Sequence, residues 1–336
     1  MRKILVIAPS WIGDTLLAQP LLALLAARPA NIDVLAPAWS APLLQRMPEV
    51  SQVIVSPFGH GDFGWFQRRA LGRQLARTGY DEAVVLPNSW KSALVPWFAG
   101  IPRRTGYTGE ARIGLLNNRF TPDRHAQPQL AQRYARLALP ADAEGLPDLP
   151  QTRLSSSPEQ QLAARAALGL PADATPLVLC PGAEYGPAKR WPARHFAALA
   201  QRAASRNAPA WLVGGPGDRA VGEEIAGMAQ GHALNLCGST RLEQAIDLIA
   251  GARTVVSNDS GLMHVAAALD RPLLALYGSS SPMYTPPLSD HAKILSLQLS
   301  CSPCFKRTCP LGHFDCMEKL DAQLVIDAMS TIHHAA

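Results

Sequence analysis

Short β-branched runs alternate with segments of helical period from the first residues onward, as expected of parallel strands joined by right-handed helical crossovers. In the first half the pattern predicts strands at residues 3–8, 32–36, 52–56 and 82–86, with helices between them. The second half repeats the scheme at 176–180, 210–213, 254–257 and 273–277. Two doubly wound α/β lobes follow. Between them, residues 139–157 are rich in Pro, Asp and Ser and lack apolar periodicity, which marks a linker. We therefore expect one lobe over 1–155 and another over 156–320, hinged about a cleft, and a last helix over residues 322–332.

A length of 336 residues suits two cores better than one, and 48% hydrophobic against 17% charged residues describes a packed globular chain. The apolar stretch at 16–27 is interrupted by Gln19 and Pro20 and is shorter than the roughly 20 residues of a membrane span. It follows a strand and carries Asp14 just before it, unlike a signal peptide. A soluble, cytoplasmic protein is expected. The formal charge of +5 hints at an acidic partner.

Ligands of open α/β sheets bind where strands end and helices begin, so the loops after the strands hold the candidate chemistry. The first is Pro9-Ser10-Trp11-Ile12-Gly13-Asp14, which lacks the glycine fingerprint of a dinucleotide site. Pro20 predicts a regular helix starting only near Leu17, after a long exposed loop. Asp14 reads either as a helix N-cap or as a general base whose carboxylate, partly desolvated, takes a proton from an attacking hydroxyl.

The second loop, Pro181 to Pro192, places two glycines and prolines around Lys189 and Arg190, a shape suited to phosphate. Lys189 can set a point charge on a phosphate oxygen; Arg190 equally suits a surface ion pair. The third, Asn258-Asp259-Ser260-Gly261, precedes an apolar helix whose amide groups and dipole attract a diphosphate. His264 lies one turn beyond Ser260, placed to donate to a leaving phosphate or to be a buried structural histidine. Asp259, an anion, either holds the loop or accepts from sugar hydroxyls. In the fourth, Gly214-Gly215-Pro216-Gly217-Asp218, Asp218 either caps a helix or accepts from a ribose.

Basic residues gather in the first half: Arg68, Arg69, Arg73 and Arg77, then Lys91, Arg103 and Arg104. Arg69, Arg73 and Arg77 fall on one helical stripe, either a solvated face or a dock for an anionic acceptor or lipid headgroups. Nucleic acid is not expected, since no interleaved aromatic platform is visible beside them in the sequence. Cys301, Cys304, Cys309 and Cys316, with His313 among them, are candidates for a structural zinc site or for reduced thiols.

Four motifs, in order, resemble the ADP-heptose:lipopolysaccharide heptosyltransferases of glycosyltransferase family 9 over nearly the whole chain. They are Ser10-Trp11-x-Gly13-Asp14, Leu86-Pro87-Asn88-Ser89-x-Lys91 through Pro96, Cys180-Pro181-Gly182-Ala183-Glu184 through Trp191-Pro192, and Asn258 through His264. The resemblance implies a GT-B fold, two Rossmann-like lobes facing a cleft, with a C-terminal helix at 321–334 packing back across the first lobe. It implies an inverting transfer of L-glycero-D-manno-heptose from ADP-heptose to the first heptose of the lipopolysaccharide inner core. The acceptor is then Kdo2-lipid A bearing one heptose, met in the cytoplasm at the inner membrane surface. Carried over to this chain, Asp14 is the base and Lys189 binds donor phosphate. Asp259, Ser260, Gly261 and His264, with Asp218, line the donor site, and Arg68, Arg69, Arg73 and Lys91 meet the acceptor. No divalent metal is required. The segment from Cys301 to Cys316, present in some relatives, is then a candidate for adjusting the acceptor site. Rival readings are a family member with a different acceptor, such as heptosyltransferase I or III, a non-catalytic sugar-nucleotide sensor and a nucleotide-sugar epimerase.

Overall fold

The computed structural model describes residues 1–59 and 61–332. In the first half the strands are β1 (Arg2–Ile7), β2 (Ala30–Ala36), β3 (Gln52–Val55), β4 (Glu82–Val85), β5 (Arg103–Tyr107) and β6 (Asn118–Phe120). In the second they are β7 (Leu177–Cys180), β8 (Ala210–Leu212), β9 (Ala233–Asn235), β10 (Thr254–Asn258), β11 (Leu273–Leu276) and β12 (Ala292–Leu295). They form two six-stranded sheets, ordered β3-β2-β1-β4-β5-β6 and β12-β11-β10-β7-β8-β9. Every neighbouring pair is parallel.

Counted from its own first strand, each sheet has the order 3-2-1-4-5-6, the doubly wound arrangement in which helices cover both faces. Strand order therefore reverses between β1 and β4 in one sheet, and between β7 and β10 in the other. Loops leaving a sheet on either side of such a reversal diverge to opposite faces, and a crevice opens between them at the strands' carboxyl ends. That places the loops after β1, β4, β7 and β10 where ligands of such sheets bind.

The chain divides into two compact units, Met1–Thr152 and Arg153–Ala336. The division falls within the expected linker, three residues before the boundary read from the sequence. In the first unit, Leu5, Ile7, Leu35, Ala83 and Val85 pack with Leu71, Leu75 and Val95. In the second, Leu177, Leu179, Val256, Leu274 and Leu276 pack with Trp191, Phe196, Leu199 and Ile225. Both sheets are buried on two faces, which accounts for the continuous apolar runs of their central strands.

The C-terminal helix, Ala322–Ile332, packs against the helix Ala193–Ala204, β11 and β12. Its Val325 and Ala328 find their apolar partners in the second core; residues 333 and 334 of the expected helix lie outside the described residues. Next, the helix after β1 starts at Ile12, not Leu17. Pro20 is accommodated because this helix ends at Leu17 and a second, Gln19–Ala26, begins around Ala18, so the ring sits in a first turn that needs no N–H from it. The loop before Asp14 is consequently short. Finally, β5, β6, β9 and β12 were not read from the sequence. Among the described residues no helix is long and apolar enough to cross a membrane.

Candidate active site

At the β7–β10 reversal, the end of β10 and the loop after β7 are sewn together by Asn258, which is fully buried. Its side-chain Oδ1 accepts from the backbone N–H of Trp191 at 3.1 Å, and its Nδ2 donates to the carbonyl of Pro181 at 2.7 Å. The Trp191 indole, also buried, donates to the carbonyl of Leu320 at 2.6 Å. Both ends of the loop carrying Lys189 are thereby fixed to the sheet.

Lys189 Nζ then lies 2.6 Å from Asp259 Oδ2, and the carboxylate is almost completely buried. This resolves the apparent misfit of an anion in a phosphate-binding loop: Asp259 holds the lysine in place. An ammonium has three donors, so one bond to Asp259 leaves others for a ligand. Ser260 occupies the N-cap position of the helix Gly261–Ala268 with extended backbone (φ −149°, ψ 173°). Its Oγ lies 3.3 Å from Ser257 Oγ, and it makes no side-chain cap to the helix. The first amide groups of that helix lack intrahelical acceptors and sit beside Lys189's anchor, an arrangement suited to a diphosphate.

His264 is buried in the same helix, and desolvation lowers its pKa to about 4, with Lys189 acting in the same sense and Asp259 opposing. The imidazole is therefore neutral near pH 7 and offers an N–H and a lone pair, not a cation. Asp218, after β8, approaches the loop that follows β7: its Oδ2 accepts from the Gly215 N–H at 3.0 Å. A Cβ on Gly182 would stand 2.2 Å from that same oxygen, so only glycine admits the carboxylate here. Burial raises the Asp218 pKa, partly offset by the Gly215 bond.

In the first unit, Asp14 is the third residue of the helix Ile12–Leu17, whose N-cap is Trp11. The capping reading of Asp14 is thus corrected: its carboxylate rides on the first turn, where the helix dipole favours a negative charge. At the carboxyl ends of β1, β2 and β4 a cavity of about 180 Å³ is lined by Ser10, Trp39, Phe58, Arg68, Ser89 and Lys91 among others. The Trp39 indole donates to the Ser10 carbonyl at 2.9 Å, closing one wall.

The predicted cations do not behave alike. Arg68 is buried and gives its donors to the carbonyls of Phe63 (2.7 Å), Lys91 (3.2 Å) and Asp62 (3.2 Å), with its guanidinium 3.8 Å from the Phe58 ring centre. It organises the cavity wall. Lys91 Nζ donates to the carbonyl of Gly61 at 3.0 Å. Arg69 and Arg73, and Arg77 beyond them, are exposed on the solvent side of the helix Trp65–Leu75 and its 3-10 extension. Arg103 pairs with Glu82 at 3.2 Å, while Arg104 donates to backbone carbonyls, so both serve β5.

A family model described as Glycosyltransferase family 9 (heptosyltransferase) matches residues 68–315. The chain belongs to this family. It is 44% identical to lipopolysaccharide heptosyltransferase 2 of Salmonella typhimurium, over 98% of each chain, and equally to the protein of that name from Escherichia coli. The solved structure of E. coli ADP-heptose lps heptosyltransferase II matches with a TM-score of 0.88 at 43% identity, covering 99% of this chain and 100% of that one. E. coli heptosyltransferase WaaC with ADP shares the fold, with a TM-score of 0.70 at 23% identity. This glycosyltransferase family 9 enzyme therefore has the paired parallel sheets of the GT-B fold.

In this family member the cysteine segment is tied to the loop that carries Lys189. The N–H of Ala188 donates to the Arg307 carbonyl at 3.0 Å, Tyr185 Oη to the Phe305 carbonyl at 3.0 Å, and the Phe305 N–H to Ser279 at 2.7 Å. A Cβ on Gly186 would come within 2.5 Å of the Arg307 oxygen, so the two loops meet only because that residue is glycine. The segment thus braces the loop that carries Lys189. Cys301, Cys304, Cys309, Cys316 and His313 line one small cavity. Among the described residues no group of three or more His, Cys, Asp or Glu is arranged to hold a metal ion. The backbone N–H of Phe314, helped by those of Leu311, Gly312 and His313, lowers the Cys309 pKa against an opposing desolvation, whereas burial raises that of Cys316.

Sequence reasoning missed Trp39 and Phe58, which line the first cavity, and Arg112. The Arg112 guanidinium is buried and donates to Pro87 O (2.9 Å), Asn88 Oδ1 (2.5 Å) and the Tyr107 carbonyl, bracing the loop after β4. Trp39 follows the end of β2 as Asp14 follows β1, so the same strand-end rule would have found it. Aromatic residues do lie near the arginine stripe: Phe63, Trp65 and Phe66 adjoin it on the chain, and ring contacts join Trp90 to Phe63 and, through Phe98, Trp97 to Trp65.

Proposed function

We propose that this chain transfers L-glycero-D-manno-heptose from ADP-heptose to the first heptose of the lipopolysaccharide inner core, carried on Kdo2-lipid A. The observation that carries the reading is the Lys189–Asp259 pair, set at a sheet reversal beside a helix N-terminus. Full-length similarity to enzymes named heptosyltransferase 2 supports the choice of donor and acceptor.

In this mechanism the second unit holds the donor. Lys189 and the amide groups opening the helix Gly261–Ala268 meet the diphosphate, with Ser260 and His264 beside them and Asp218 at the edge of the loop. The first unit supplies Asp14, which takes the proton as the acceptor hydroxyl oxygen bonds to the anomeric carbon. The bond to the diphosphate oxygen breaks with its electron pair, and ADP leaves with the configuration inverted. Charge grows on the diphosphate oxygens, where Lys189 and the helix end stabilise it without a divalent metal. Arg69, Arg73 and Lys91 attract the acidic acceptor, and Arg68 shapes their surroundings. The enzyme then works in the cytoplasm, at the inner membrane surface.

The test is direct. The protein is incubated with ADP-heptose and either heptose-free or singly heptosylated acceptor, with EDTA present, and ADP release and product mass are followed. Turnover on the singly heptosylated acceptor alone is expected. Turnover on the heptose-free acceptor would assign the first transfer instead, and donor binding without any turnover would remove the enzyme reading.

A further inference from the structure

Five aromatic rings run in continuous contact along one side of the first unit. Trp90 meets Phe63 at 5.2 Å between centroids, Phe63 meets Trp65 at 6.0 Å, Trp65 meets Phe98 at 5.0 Å, and Phe98 meets Trp97 at 5.0 Å. The middle of the run is partly covered, but Phe63, Trp90 and Trp97 are 46%, 39% and 43% exposed. Phe66, next to Trp65 on the helix Trp65–Leu75, is 80% exposed.

Exposed rings of this size usually mark an interaction surface when they cluster. Their electrostatic setting narrows the partner. Phe66, Arg69, Arg73 and Arg77 fall at i, i+3, i+7 and i+11, a single solvent-facing stripe, and residues 63–80 contain four arginines and no acidic residue. The opposite face of the helix, Leu71, Gly72 and Leu75, is buried in the protein. Aromatic side chains at a cationic rim are the groups that settle at the headgroup level of a bilayer, with arginine meeting anionic lipid.

A single-stranded nucleic acid would also meet arginines and rings, but it needs open ring faces to stack on. Here Phe63 and Trp65 stack on each other at 25°, and the other contacts are tilted or edge-on, at 43° for Phe63–Trp90, 84° for Trp65–Phe98 and 61° for Trp97–Phe98, so the rings of the run pack on one another and do not line up as a ladder of parallel faces.

We propose that the surface formed by Phe66, Trp90 and Trp97 with Arg69, Arg73 and Arg77 docks this protein on an anionic lipid bilayer. The proposal deepens the lipid-linked acceptor reading and rests on it for its purpose: docking confines the enzyme to the plane in which that acceptor lies. The rings enter the headgroup layer, and the arginines supply attraction that fades within a Debye length.

Two measurements on the full chain test this. One is cosedimentation with vesicles of phosphatidylethanolamine and phosphatidylglycerol, against phosphatidylcholine vesicles. The other is turnover on a vesicle-borne acceptor, against a deacylated, water-soluble one. The protein should sediment with the anionic vesicles only and be released by salt. Arg77→Gln should weaken binding about fivefold at low salt. Phe66→Ser with Trp97→Ser should weaken it further and lower turnover on the vesicle-borne acceptor. The same variants should leave turnover on the soluble acceptor unchanged, and Phe66→Ser alone should leave the melting temperature unchanged, since Phe66 is 80% exposed. Absence of wild-type binding to anionic vesicles, equal sedimentation of wild type and variants, or tighter binding to a single-stranded oligonucleotide would each overturn the proposal. If the wild type fails to use the soluble acceptor, the proposed transfer is what fails, and vesicle binding still decides the docking surface.

Discussion

The two units share one strand order and place their chemistry at the same reversal, yet they hold it differently. In the second unit the groups are prearranged: Asn258 is buried between two loops, and Lys189 is locked to a buried carboxylate. In the first unit the buried Arg68 and Arg112 are absorbed by carbonyl oxygens, while Arg69, Arg73 and Arg77 stand in solvent. In the proposed transfer a diphosphate meets the rigid socket and a charged acceptor meets a wall of solvent-exposed cations, so one scaffold would serve two kinds of ligand by varying how tightly the strand-end loops are bonded.

The comparison can be broken most sharply at Asp14. Asp14→Asn keeps the shape but removes the base, and kcat should fall by about 10²–10⁴. ADP affinity, measured by calorimetry, should not change; a matching loss of ADP binding would place Asp14 with the donor. Lys189→Ala should do the opposite kind of damage, lowering kcat/KM by about 10²–10³ and weakening ADP together. Unchanged ADP affinity in this variant would detach the lysine from the diphosphate.

Rigidity itself is tested by Asn258→Ala, which orphans the Trp191 N–H and the Pro181 carbonyl in a buried site. A loss of about 2–4 kcal/mol in urea unfolding is expected, and a loss below about 1 kcal/mol would show that the loops hold without this bridge. His264 offers a smaller effect with a defined sign. Its folded pKa near 4 lies below the ordinary histidine value, so the unfolded chain binds the proton first as pH falls. Stability from this site is full above about pH 6.5 and declines toward pH 4. The urea midpoint should drop between pH 7 and 5 by less in His264→Asn than in the wild type. The smallest effect concerns thiol chemistry: Cys309, with its thiolate favoured by backbone N–H groups, should alkylate with iodoacetamide before Cys316 at pH 7.

Much of this architecture was legible in the chain because strands buried on both faces read as plain apolar runs. Leu177–Cys180 and Thr254–Val256 are such runs, and the loops after them followed at once. The strands that escaped are those whose partners supply what the local sequence lacks. In β5 two arginines precede Thr105, and Arg103 is tolerated because Glu82 on β4 pairs with it. In β12 Lys293 lies on an edge, with its Nζ 3.2 Å from Thr331. A loop-holding role for Asp259 was one of two readings, but its partner was invisible, since Lys189 lies seventy positions away. So was the aromatic surface, because its rings come from three separate segments. The helix break at Ala18 was misplaced for a different reason. Pro20 signals an interruption, but only the pairing of Ala18 N–H with the Asp14 carbonyl shows that a full turn forms first.

The Lys189–Asp259 pair also bears on how the reaction ends. A lysine already neutralised in the resting enzyme attracts a diphosphate less than a lone cation would, and this applies to product as much as to substrate. In the donor site proposed above, Asp259 competes for the ammonium whenever ADP loosens, so some affinity for the nucleotide is exchanged for a route to its release.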